Sequence, residues 1–599
     1  MKHTYSLHIP KRRKNSFFLL PSSLLLPLLL FAFELICLTS CRSSTNSPAS
    51  TTHYAGVVED SAMVVSAHPL ASAAGIKILK QGGNAIDAAI AVQFALAVVF
   101  PEAGNIGGGG FMVYRDAAGQ SDALDFREKA PAAASRDMYL DSLQAVVAQL
   151  STHGHRAVGV PGTVAGAVEA HRKYGKLPWA DLLAPAISLA ENGILFVSTQ
   201  EVKKLNDEQD NFRHYNTRPC PLLKPDGSRW LTSDTLRQPQ LAAVLRQIGR
   251  LKNAGFYEGW VADSLVAEMK RGKGLITHND LKNYKAVWRK PIEAAYKEFN
   301  LISMPPPSSG GIALAQLCQM LEAFPLKEWG FHSTQSVHHI VEAERRVYAD
   351  RATHLGDPDF WPVPVKTLLD KQYIGSRMAN FDPQHATPSR EITAGNIAAT
   401  TAATHEKDQT THLSVIDQWG NAVAVTTTLN GSFGAKVTVG GAGFLLNNEM
   451  DDFSVKPGVP NLYGLVGNEA NAIAPQKRML SSMSPTIVTR NGHLYMVLGT
   501  PGGSTIITSV LQVFLNVVEY NMTMQEAVNA PRFHHQWLPD SLYIEKGALN
   551  TKTVKELSNM GHHVAERKPI GRTDAILVQN NGKLEGAGDI RGDDTALGY

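Results

Sequence analysis

The sequence predicts a large α/β protein of ordinary globular composition. Apolar residues at helical spacing alternate along the chain with short runs of β-branched residues, which is typical of mixed helices and strands. Hydrophobic residues make up 44% of the chain and charged residues 19%, as in globular rather than disordered proteins. The 599 residues are enough for several domains or for one large α/β body. The formal net charge of +3 is too small to indicate a nucleic-acid-binding surface.

Residues 1–40 have the layout of an export signal. A cluster of basic residues precedes an apolar run over 17–38, and Glu34 and two prolines interrupt that run, which argues against a membrane-spanning helix. The run ends in Leu-Thr-Ser-Cys, which resembles the bacterial lipoprotein box, in which the cysteine, here Cys41, is lipidated. Plain secretion is the alternative. We expect a periplasmic protein of a Gram-negative bacterium, held at the membrane only by a lipid on Cys41, with residues 41–55 as a flexible tether.

Two helices and a glycine-rich strand follow the tether. Helical spacing predicts a helix over Pro69–Lys80, and a second, nearly all-apolar and therefore buried helix over Ala85–Val99, capped by Asn84. Four glycines, Gly107–Gly110, precede a strand-like run. They do not form a phosphate-binding loop, because no GxGxxG pattern is present and a strand rather than a helix follows. We expect close backbone packing at these glycines.

Arg127 follows the next predicted strand, Ala-Leu-Asp-Phe, and has two possible roles. A solvated charge is the ordinary state of an arginine at the end of a strand. A rigid strand end could instead aim the guanidinium fork at a carboxylate. The residues alone leave both roles open.

The histidines and cysteines give no metal signature. Residues 337–357 predict an amphipathic helix in which His338 and His339 serve in packing and at the surface rather than as ligands. Cys220 and Cys318 lie far apart and have no metal-ligand spacing. We therefore expect no metal site, although the two cysteines could pair in an oxidising compartment.

The segment Thr410–Asp417 is an unusual place to start a strand. It leads through a polar turn into a second β-branched run, which predicts a strand, a tight turn and another strand. Residues 383–409 before it are polar and rich in Ala and Thr, as a processed or mobile segment would be. A cut between Gln409 and Thr410 would give Thr410 a hydroxyl nucleophile and a free α-amino group as its base. The alternative is a threonine-rich edge strand, since β-branched residues favour strands.

Several motifs in register resemble the γ-glutamyltranspeptidase family. They are NIGGGGFM and LDFREKAP in the first section, then TTHLSVIDQWGNAVAVTTTLNGSFG, LLNNEMDDFSVKPGVPNLYGLVG, KRMLSSMSPTIV, GTPGGSTIITSVLQ and APRFHHQWLPD. The resemblance covers essentially everything from about residue 56 to Tyr599. It implies a γ-glutamyltransferase and glutathione hydrolase that cleaves itself before Thr410. The enzyme would then pass the γ-glutamyl group of glutathione or a related donor to water, an amino acid or a dipeptide.

The resemblance also implies the fold and the subunits. Members of the family are N-terminal-nucleophile hydrolases with a four-layer αββα sandwich. Self-cleavage would divide this chain into a large subunit, residues 56–409, and a small catalytic subunit, residues 410–599. The two subunits would form one sandwich and remain together as a heterodimer. No cofactor and no metal are implied.

By resemblance, four residues carry the catalysis. Thr410 attacks the γ-carbonyl and forms an ester, and its amino group, with an ordinary pKa of about 7.7–8.0, takes and returns the proton. Thr428 orients the nucleophile. Gly502 and Gly503 form the oxyanion hole, because backbone N–H groups at a helix start point outward and glycines let an anion approach. Ser504 is expected to cap that helix. Without the resemblance these residues are a strand threonine and a glycine turn.

The resemblance assigns opposite charges to the two ends of the donor. A cation and hydroxyl groups would hold the α-carboxylate, and two carboxylates with an amide oxygen would hold the α-ammonium. Glu449 stands where some members carry Gln, a change that should preserve ammonium binding. By composition alone, residues 449–452 are a solvated acidic turn. The carboxylate partners are Arg127, Ser481 and Ser482, the ammonium partners are Asn430, Glu449 and Asp452, and Thr428 and Gly503 complete the substrate-binding set.

A Pro/Gly-rich stretch, residues 457–467, resembles the lid of those family members that have one, with Tyr463 near its middle. A lid that excludes water favours transfer to an amine over hydrolysis. The stretch argues against lidless relatives that act on poly-γ-glutamate.

Two other functions remain as alternatives. An acylase of the same fold would act on the glutaryl side chain of a cephalosporin, and a glutaryl group has no α-amino group that would require Asp452. A catalytically dead lipoprotein would only bind a peptide. The intact Thr410, Thr428, Gly502 and Gly503 argue against the second alternative.

Overall fold

The computed structural model describes residues 55–395 and 410–599, and they belong to one compact unit. The predicted signal, the tether up to residue 54, Cys41 and Gln409 lie outside the described residues. The strands are β1 Val57–Glu59, β2 Met63–Ser66, β3 Gly109–Arg115, β4 Ser121–Asp125, β5 Ile194–Leu195, β6 Thr235–Leu236, β7 Val287–Arg289, β8 Ile292–Tyr296, β9 Phe299–Ser303, β10 Thr411–Ile416, β11 Ala422–Thr428, β12 Thr486–Arg490, β13 His493–Gly499, β14 Phe533–His534, β15 Leu542–Glu545, β16 Val564–Arg567, β17 Asp574–Val578, β18 Leu584–Ala587 and β19 Thr595–Gly598.

The predicted helices over Pro69–Lys80 and Ala85–Val99 are confirmed with these bounds. Asn84 caps the second through a reciprocal capping box with Asp87, and every residue of that helix is buried. The helices are α1 Pro69–Lys80, α2 Ala85–Val99, α3 Thr163–Tyr174, α4 Trp179–Asn192, α5 Thr199–Asp207, α6 Gln209–Tyr215, α7 Pro239–Leu251, α8 Ala254–Tyr257, α9 Gly259–Gly272, α10 His278–Asn283, α11 Gly310–Leu321, α12 Leu326–Trp329, α13 Thr334–His354, α14 Val365–Leu368, α15 Lys371–Arg377, α16 Ile506–Val518, α17 Met524–Asn529 and α18 Thr551–Asn559.

Two seven-stranded antiparallel sheets form the centre of the molecule. One has the order β1-β18-β17-β13-β12-β9-β8, and the other has the order β19-β2-β10-β11-β3-β4-β7. In both sheets, strands that precede residue 409 lie beside strands that follow it. The two products of a cut at that residue would therefore share both sheets and remain joined by their ladders of hydrogen bonds.

Three apolar cores separate four layers. One core lies between the sheets and contains Val113, Ile302 and Val497. The second lies between the β2-β10-β11-β3 sheet and a layer that includes α2, and the third lies between the other sheet and a layer that includes α11 and α16. This arrangement confirms the four-layer αββα sandwich. Among the residues that the structure describes, no helix has the length and apolar character needed to cross a bilayer.

Helix α13 differs from the predicted amphipathic helix, because it is buried on every side from its third residue onward. Within the helix Glu342 pairs with Arg345 and Arg346, and Asp350 pairs with Arg377 of α15. His338 and His339 are therefore core groups and not surface groups. The charged residues at helical spacing, which suggested a solvent-facing side, instead belong to a buried ion-pair network.

Cys220 and Cys318 do not form a disulfide. Both are buried free thiols, and they lie in different cores of the sandwich. Burial raises the pKa of each thiol, to about 11 for Cys220 and about 12 for Cys318, so both are protonated and unreactive near neutral pH.

Candidate active site

Thr410 lies at the point where β10 begins, next to the end of β11. The antiparallel register pairs Thr411 with Thr427, so Thr410 faces Thr428, and their hydroxyl oxygens are 3.4 Å apart. The backbone N–H of Asn430 donates to Thr428 Oγ1 over 2.7 Å and fixes that hydroxyl beside Thr410. Thr410 is only 5% exposed. A buried hydroxyl oriented by a second hydroxyl has the environment expected of an activated nucleophile.

The loop Gly502-Gly503 has a backbone that other residues adopt with difficulty. Its φ angles are 138° and 52°, and a Cβ on Gly502 would lie 2.3 Å from Thr505 Oγ1. Thr505 donates to the carbonyl of Gly502 over 2.8 Å. Ser504 is not the helix cap, because a 3-10 turn over Gly503–Thr505 precedes α16, whose N-cap is Thr505. The loop is thus held tightly with its amides at a helix start.

A small cavity of about 20 Å³ brings the predicted donor-site residues together. Gly502 lines the neighbouring outer cavity, which also reaches Thr410. The predicted residues that line the small cavity are Arg127, Thr410, Thr428, Asn430, Glu449, Asp452, Tyr463, Ser481, Ser482 and Gly503.

Arg127 is fully buried and pairs with the two acids predicted to hold an ammonium group. Its guanidinium contacts Glu449 and Asp452, with Glu128 at 3.7 Å. Burial raises the pKa of Glu449 and Asp452, and the positive charge of Arg127 opposes that rise. Residues 449–452 are a 3-10 turn whose first three residues are buried, and not a solvated turn. The pocket holds a cation and two acids, which are complementary to the two charges of an α-amino acid.

A second buried arginine beside the pocket was not predicted. Arg351, on α13, lines the small cavity and donates to Ser482 Oγ over 3.0 Å and to Ser309 Oγ over 3.0 Å. Ser309 in turn donates to the carbonyl of Ser481 over 2.8 Å. Burial lowers the pKa of Arg351 to about 10, so it remains a cation at neutral pH. Arg351 fixes Ser482 in the pocket. The sequence did not indicate this role, because Arg351 lies on α13, far from Ser482 in the chain.

The 457–467 stretch covers the pocket. The hydroxyl of Tyr463 donates to the carbonyl of Asn430 over 2.6 Å, and Tyr463 is only 3% exposed. Asn461 donates to Asp452 over 3.1 Å, and the backbone N–H of Leu462 donates to Asp451 over 2.7 Å. These bonds connect the stretch directly to the acidic turn, in the closed position that a lid would have over a bound donor.

The outer cavity, of about 700 Å³, opens on the other side of Thr410. Its wall carries both signs of charge: Glu102 accepts from Ser432 over 3.2 Å and from Lys204 over 2.8 Å. Arg567 and Lys568 also line this cavity. Sequence reasoning did not identify these residues, because they come from segments that are more than a hundred residues apart.

One cluster, His338, Glu342 and His562, has ligand atoms within 4.8 Å of one another and could in principle hold a metal ion. Arg346 donates to the Glu342 carboxylate over 2.7 Å and Arg345 over 3.2 Å. His338 and His562 share a hydrogen bond of 2.8 Å. Two cations beside the only carboxylate oppose a metal ion, so we assign the cluster a structural role.

Comparisons with known proteins agree on one family. The family model described as gamma-glutamyltranspeptidase matches residues 71–599. The glutathione hydrolase proenzyme of Pseudomonas sp. (strain A14) is 49% identical over 525 residues, which are 88% of this chain and 90% of that protein. The glutathione hydrolase proenzyme of Escherichia coli (strain K12) is 46% identical over 577 residues, 94% of this chain and 97% of that protein. The crystal structure of cephalosporin acylase from Bacillus halodurans superposes with a TM-score of 0.78 at 25% identity and covers 93% of this chain and 99% of that chain.

Proposed function

Because the chain belongs to the γ-glutamyltranspeptidase family, we propose that Thr410 becomes the catalytic N-terminus of its small subunit. The protein is a γ-glutamyltransferase and glutathione hydrolase made as a proenzyme. Glutathione hydrolases at 46–49% identity outweigh acylase relatives at 37–38% and the superposed cephalosporin acylase at 25%, so the acylase activity is the more distant alternative. The proposed site rests on the pairing of Thr410 with Thr428 beside a buried pocket in which Arg127 contacts two acids.

Maturation comes first in the proposed reaction. The Thr410 hydroxyl attacks the carbonyl carbon of Gln409, the peptide C–N bond breaks, and an ester joins the two chains. Water then cleaves the ester and leaves a large chain that ends at Gln409, with residues 56–409 as its folded part, and a small subunit, residues 410–599. The α-amino group that this step frees on Thr410 has an ordinary pKa of about 7.7–8.0, which suits a base working near neutral pH.

Catalysis then repeats the chemistry on the donor. The Thr410 amino group takes the hydroxyl proton while Oγ1 bonds to the γ-carbonyl carbon, and the N–H groups of the Gly502-Gly503 loop stabilise the resulting oxyanion. The C–N bond of the donor breaks, and the leaving amine takes the proton. Water or an acceptor amine resolves the γ-glutamyl ester by the reverse sequence. Thr428 orients the nucleophile throughout.

The proposed donor pocket selects the γ-glutamyl group by its two charges. Arg127, Ser481 and Ser482 take the α-carboxylate, and Glu449 and Asp452 take the α-ammonium, with Asn430 beside them. Buried, oppositely charged partners give this selection its strength, because a donor that lacks one charge leaves its partner unpaired. The closed Tyr463 stretch supports the exclusion of water from the ester.

The outer cavity is the proposed route for the leaving peptide and for the acceptor. It is large enough for an amino acid or a dipeptide and carries both signs of charge, as a zwitterionic peptide requires. Its position against Thr410 lets an acceptor amine reach the ester while the γ-glutamyl group stays in the donor pocket.

The direct test is an assay with glutathione, with and without glycylglycine. The processed protein should release glutamate from glutathione, and glycylglycine should divert part of the product to γ-glutamyl-glycylglycine. The Thr410→Ala variant should form neither product. A protein that processes normally but releases no glutamate would contradict the proposed site.

We also propose an exported, lipid-anchored protein, from the layout of residues 1–40 and the Leu-Thr-Ser-Cys ending at Cys41. Residues 41–55 would form the tether between a membrane of a Gram-negative cell and the periplasmic enzyme. Cys41→Ala should release the enzyme from the membrane fraction or block its maturation. A variant that stays in the membrane fraction with residues 17–38 still attached would contradict the lipid anchor.

A further inference from the structure

A buried acidic pair lies behind the glycine loop. Asp574, the first residue of β17, pairs in the sheet with Gly499, which immediately precedes the loop segment Thr500–Gly503. Asp594 comes just before β19. Both carboxyl groups are fully buried and lie within hydrogen-bond contact of each other. Two carboxylates in such contact cannot both be ionised at moderate cost.

The lack of hydrogen-bond donors around the acidic pair indicates that the pair holds a proton. Both oxygens of Asp574 and Oδ1 of Asp594 have no donor among the described residues. Burying carboxylate oxygens without donors costs free energy, and a single proton on Asp574 lowers this cost because one of its oxygens can then donate to Asp594. Burial and the neighbouring Asp594 also raise the pKa of Asp574 well above its ordinary value. Asp589, which pairs with Arg532 and Arg591, adds negative charge nearby and favours the protonated state further.

Arg572 connects this pair to the loop. Its Nε contacts Asp594 Oδ2, and its Nη2 donates to the carbonyl of Ala67 over 2.7 Å. Its backbone N–H donates to Thr500 Oγ1 over 2.7 Å, and Thr500 donates to the carbonyl of Pro501 over 2.8 Å. A protonated Asp574, an ionised Asp594 and a cationic Arg572 together carry no net charge, which lowers the desolvation cost of burying them.

The same segment borders the reaction site. Gly571 lies against Gly502, since a Cβ on Gly502 would be 3.5 Å from the Gly571 Cα. Thr410, Gly502, Gly571 and Arg572 line one wall of the outer cavity. Because the Arg572 backbone is bonded to Thr500, a displacement of Arg572 would shift the segment that carries Gly502 and Gly503.

We propose that Asp574 and Asp594 share one proton and, through Arg572, position the Gly502-Gly503 oxyanion loop. The inference rests on the oxyanion-hole assignment made under the proposed function. The pair and Arg572 are positioning residues, because they act through the loop and not on the donor. Their effect should fall on the transition state, where the oxyanion exists, and not on binding of the donor.

Replacing each aspartate of the pair with asparagine, one at a time, tests the proposal. Asp574→Asn keeps a neutral side chain with an N–H donor toward Asp594, so kcat and KM should stay within about threefold of the wild type. Asp594→Asn leaves Arg572 without its anion and frees the loop. We expect kcat per processed enzyme to fall about 10- to 100-fold, as for a misplaced catalytic group, with KM for the donor nearly unchanged.

Equal losses in the two variants, or a larger loss in Asp574→Asn, would overturn the assignment of the proton. A change in KM with kcat intact would overturn the role of the loop. If Asp594→Asn does not fold, Arg572→Lys keeps the charge but loses the forked contacts to Asp594 and Ala67, and it should show the same kcat-selective loss. Normal kcat in Arg572→Lys would contradict the proposal.

Infrared spectroscopy tests the proton without any reference to catalysis. At pH 7.5, the wild-type spectrum minus that of Asp574→Asn should contain the carbonyl band of one protonated carboxylic acid. The absence of that band would overturn proton sharing even if the oxyanion-hole assignment is right. If the band is present but kcat is normal in Asp594→Asn, the pair shares a proton but does not position the Gly502-Gly503 loop, and that part of the proposal is wrong.

Discussion

Replacing Asp452 with Asn tests how the site recognises the α-amino group of a donor. In the structure Arg127 forms ion pairs with both Glu449 and Asp452. When a donor binds, its ammonium group must therefore replace Arg127 as the partner of the two acids, while its carboxylate binds Arg127. The amide keeps the size of the side chain and the contact with Asn461 but removes one negative charge. Breaking a buried charge pair costs about 2–5 kcal/mol, and we expect the lower part of this range because Glu449 remains. A loss of about 2–3 kcal/mol is about 30- to 160-fold in kcat/KM for a γ-glutamyl donor.

A glutaryl donor should respond differently, because it has the carboxylate but no ammonium. In the wild type Asp452 competes with that carboxylate for Arg127, so Asp452→Asn should leave kcat/KM for this donor unchanged or raise it. The assay is release of p-nitroaniline from the γ-glutamyl and glutaryl p-nitroanilides by the same processed enzyme. Equal losses on both donors would show that Asp452 is a structural residue and does not bind the α-ammonium group.

Three further predictions concern the loop, the lid and the pH dependence of stability. Gly502→Ala should lower kcat by about 10²- to 10³-fold, because its Cβ would meet Thr505 and displace an oxyanion donor, and steady-state kinetics with unchanged processing checks this. Tyr463→Phe removes the bond to the Asn430 carbonyl and should raise the ratio of hydrolysis to transfer, which product analysis with glycylglycine measures; an unchanged ratio would contradict a lid role. Burial alone would raise the pKa of Glu268, but hydrogen bonds from histidine, threonine and arginine side chains hold it at about 2. The carboxylate therefore contributes stability that is present above its unfolded pKa of about 4.5 and is lost as the pH falls toward 2. Glu268→Gln should lower Tm at pH 7 and flatten the change of Tm over that acid range; parallel Tm curves would contradict the assigned pKa.

The parts of the fold that local sequence determines were predicted well. Helix α2 carries its own cap in Asn84 and an apolar composition that requires burial. The strand, tight turn and second strand predicted after Thr410 are β10, the turn that follows it and β11, which pair in one antiparallel register. In each case the deciding interactions join residues close in sequence, so a local pattern is sufficient.

The parts that depend on distant segments were not predictable in the same way. The charged residues of α13 would have the same spacing whether they faced water or formed a buried network. The sequence therefore suggested the wrong environment for this helix. Arg351 reaches the pocket only because α13 packs beside the Ser481-Ser482 segment, more than a hundred residues later in the chain. The pairing of Arg127 with Glu449 and Asp452 likewise joins residues more than three hundred positions apart. Resemblance to a family named Arg127, Glu449 and Asp452, whereas composition alone would have left them as solvated charges.

The central claim is that Thr410 becomes the N-terminus and nucleophile of a separate small chain. The most direct measurement is the intact mass and N-terminal sequence of the two chains in purified protein. We expect a small chain of about 20 kDa that begins Thr-Thr-His-Leu, and a Thr410→Ala variant that remains one uncut, inactive chain. Thr410→Ser should still be cut, more slowly, because its hydroxyl remains. An active enzyme that stays a single chain, or a Thr410→Ala variant that still separates at this bond unaided, would contradict the central claim.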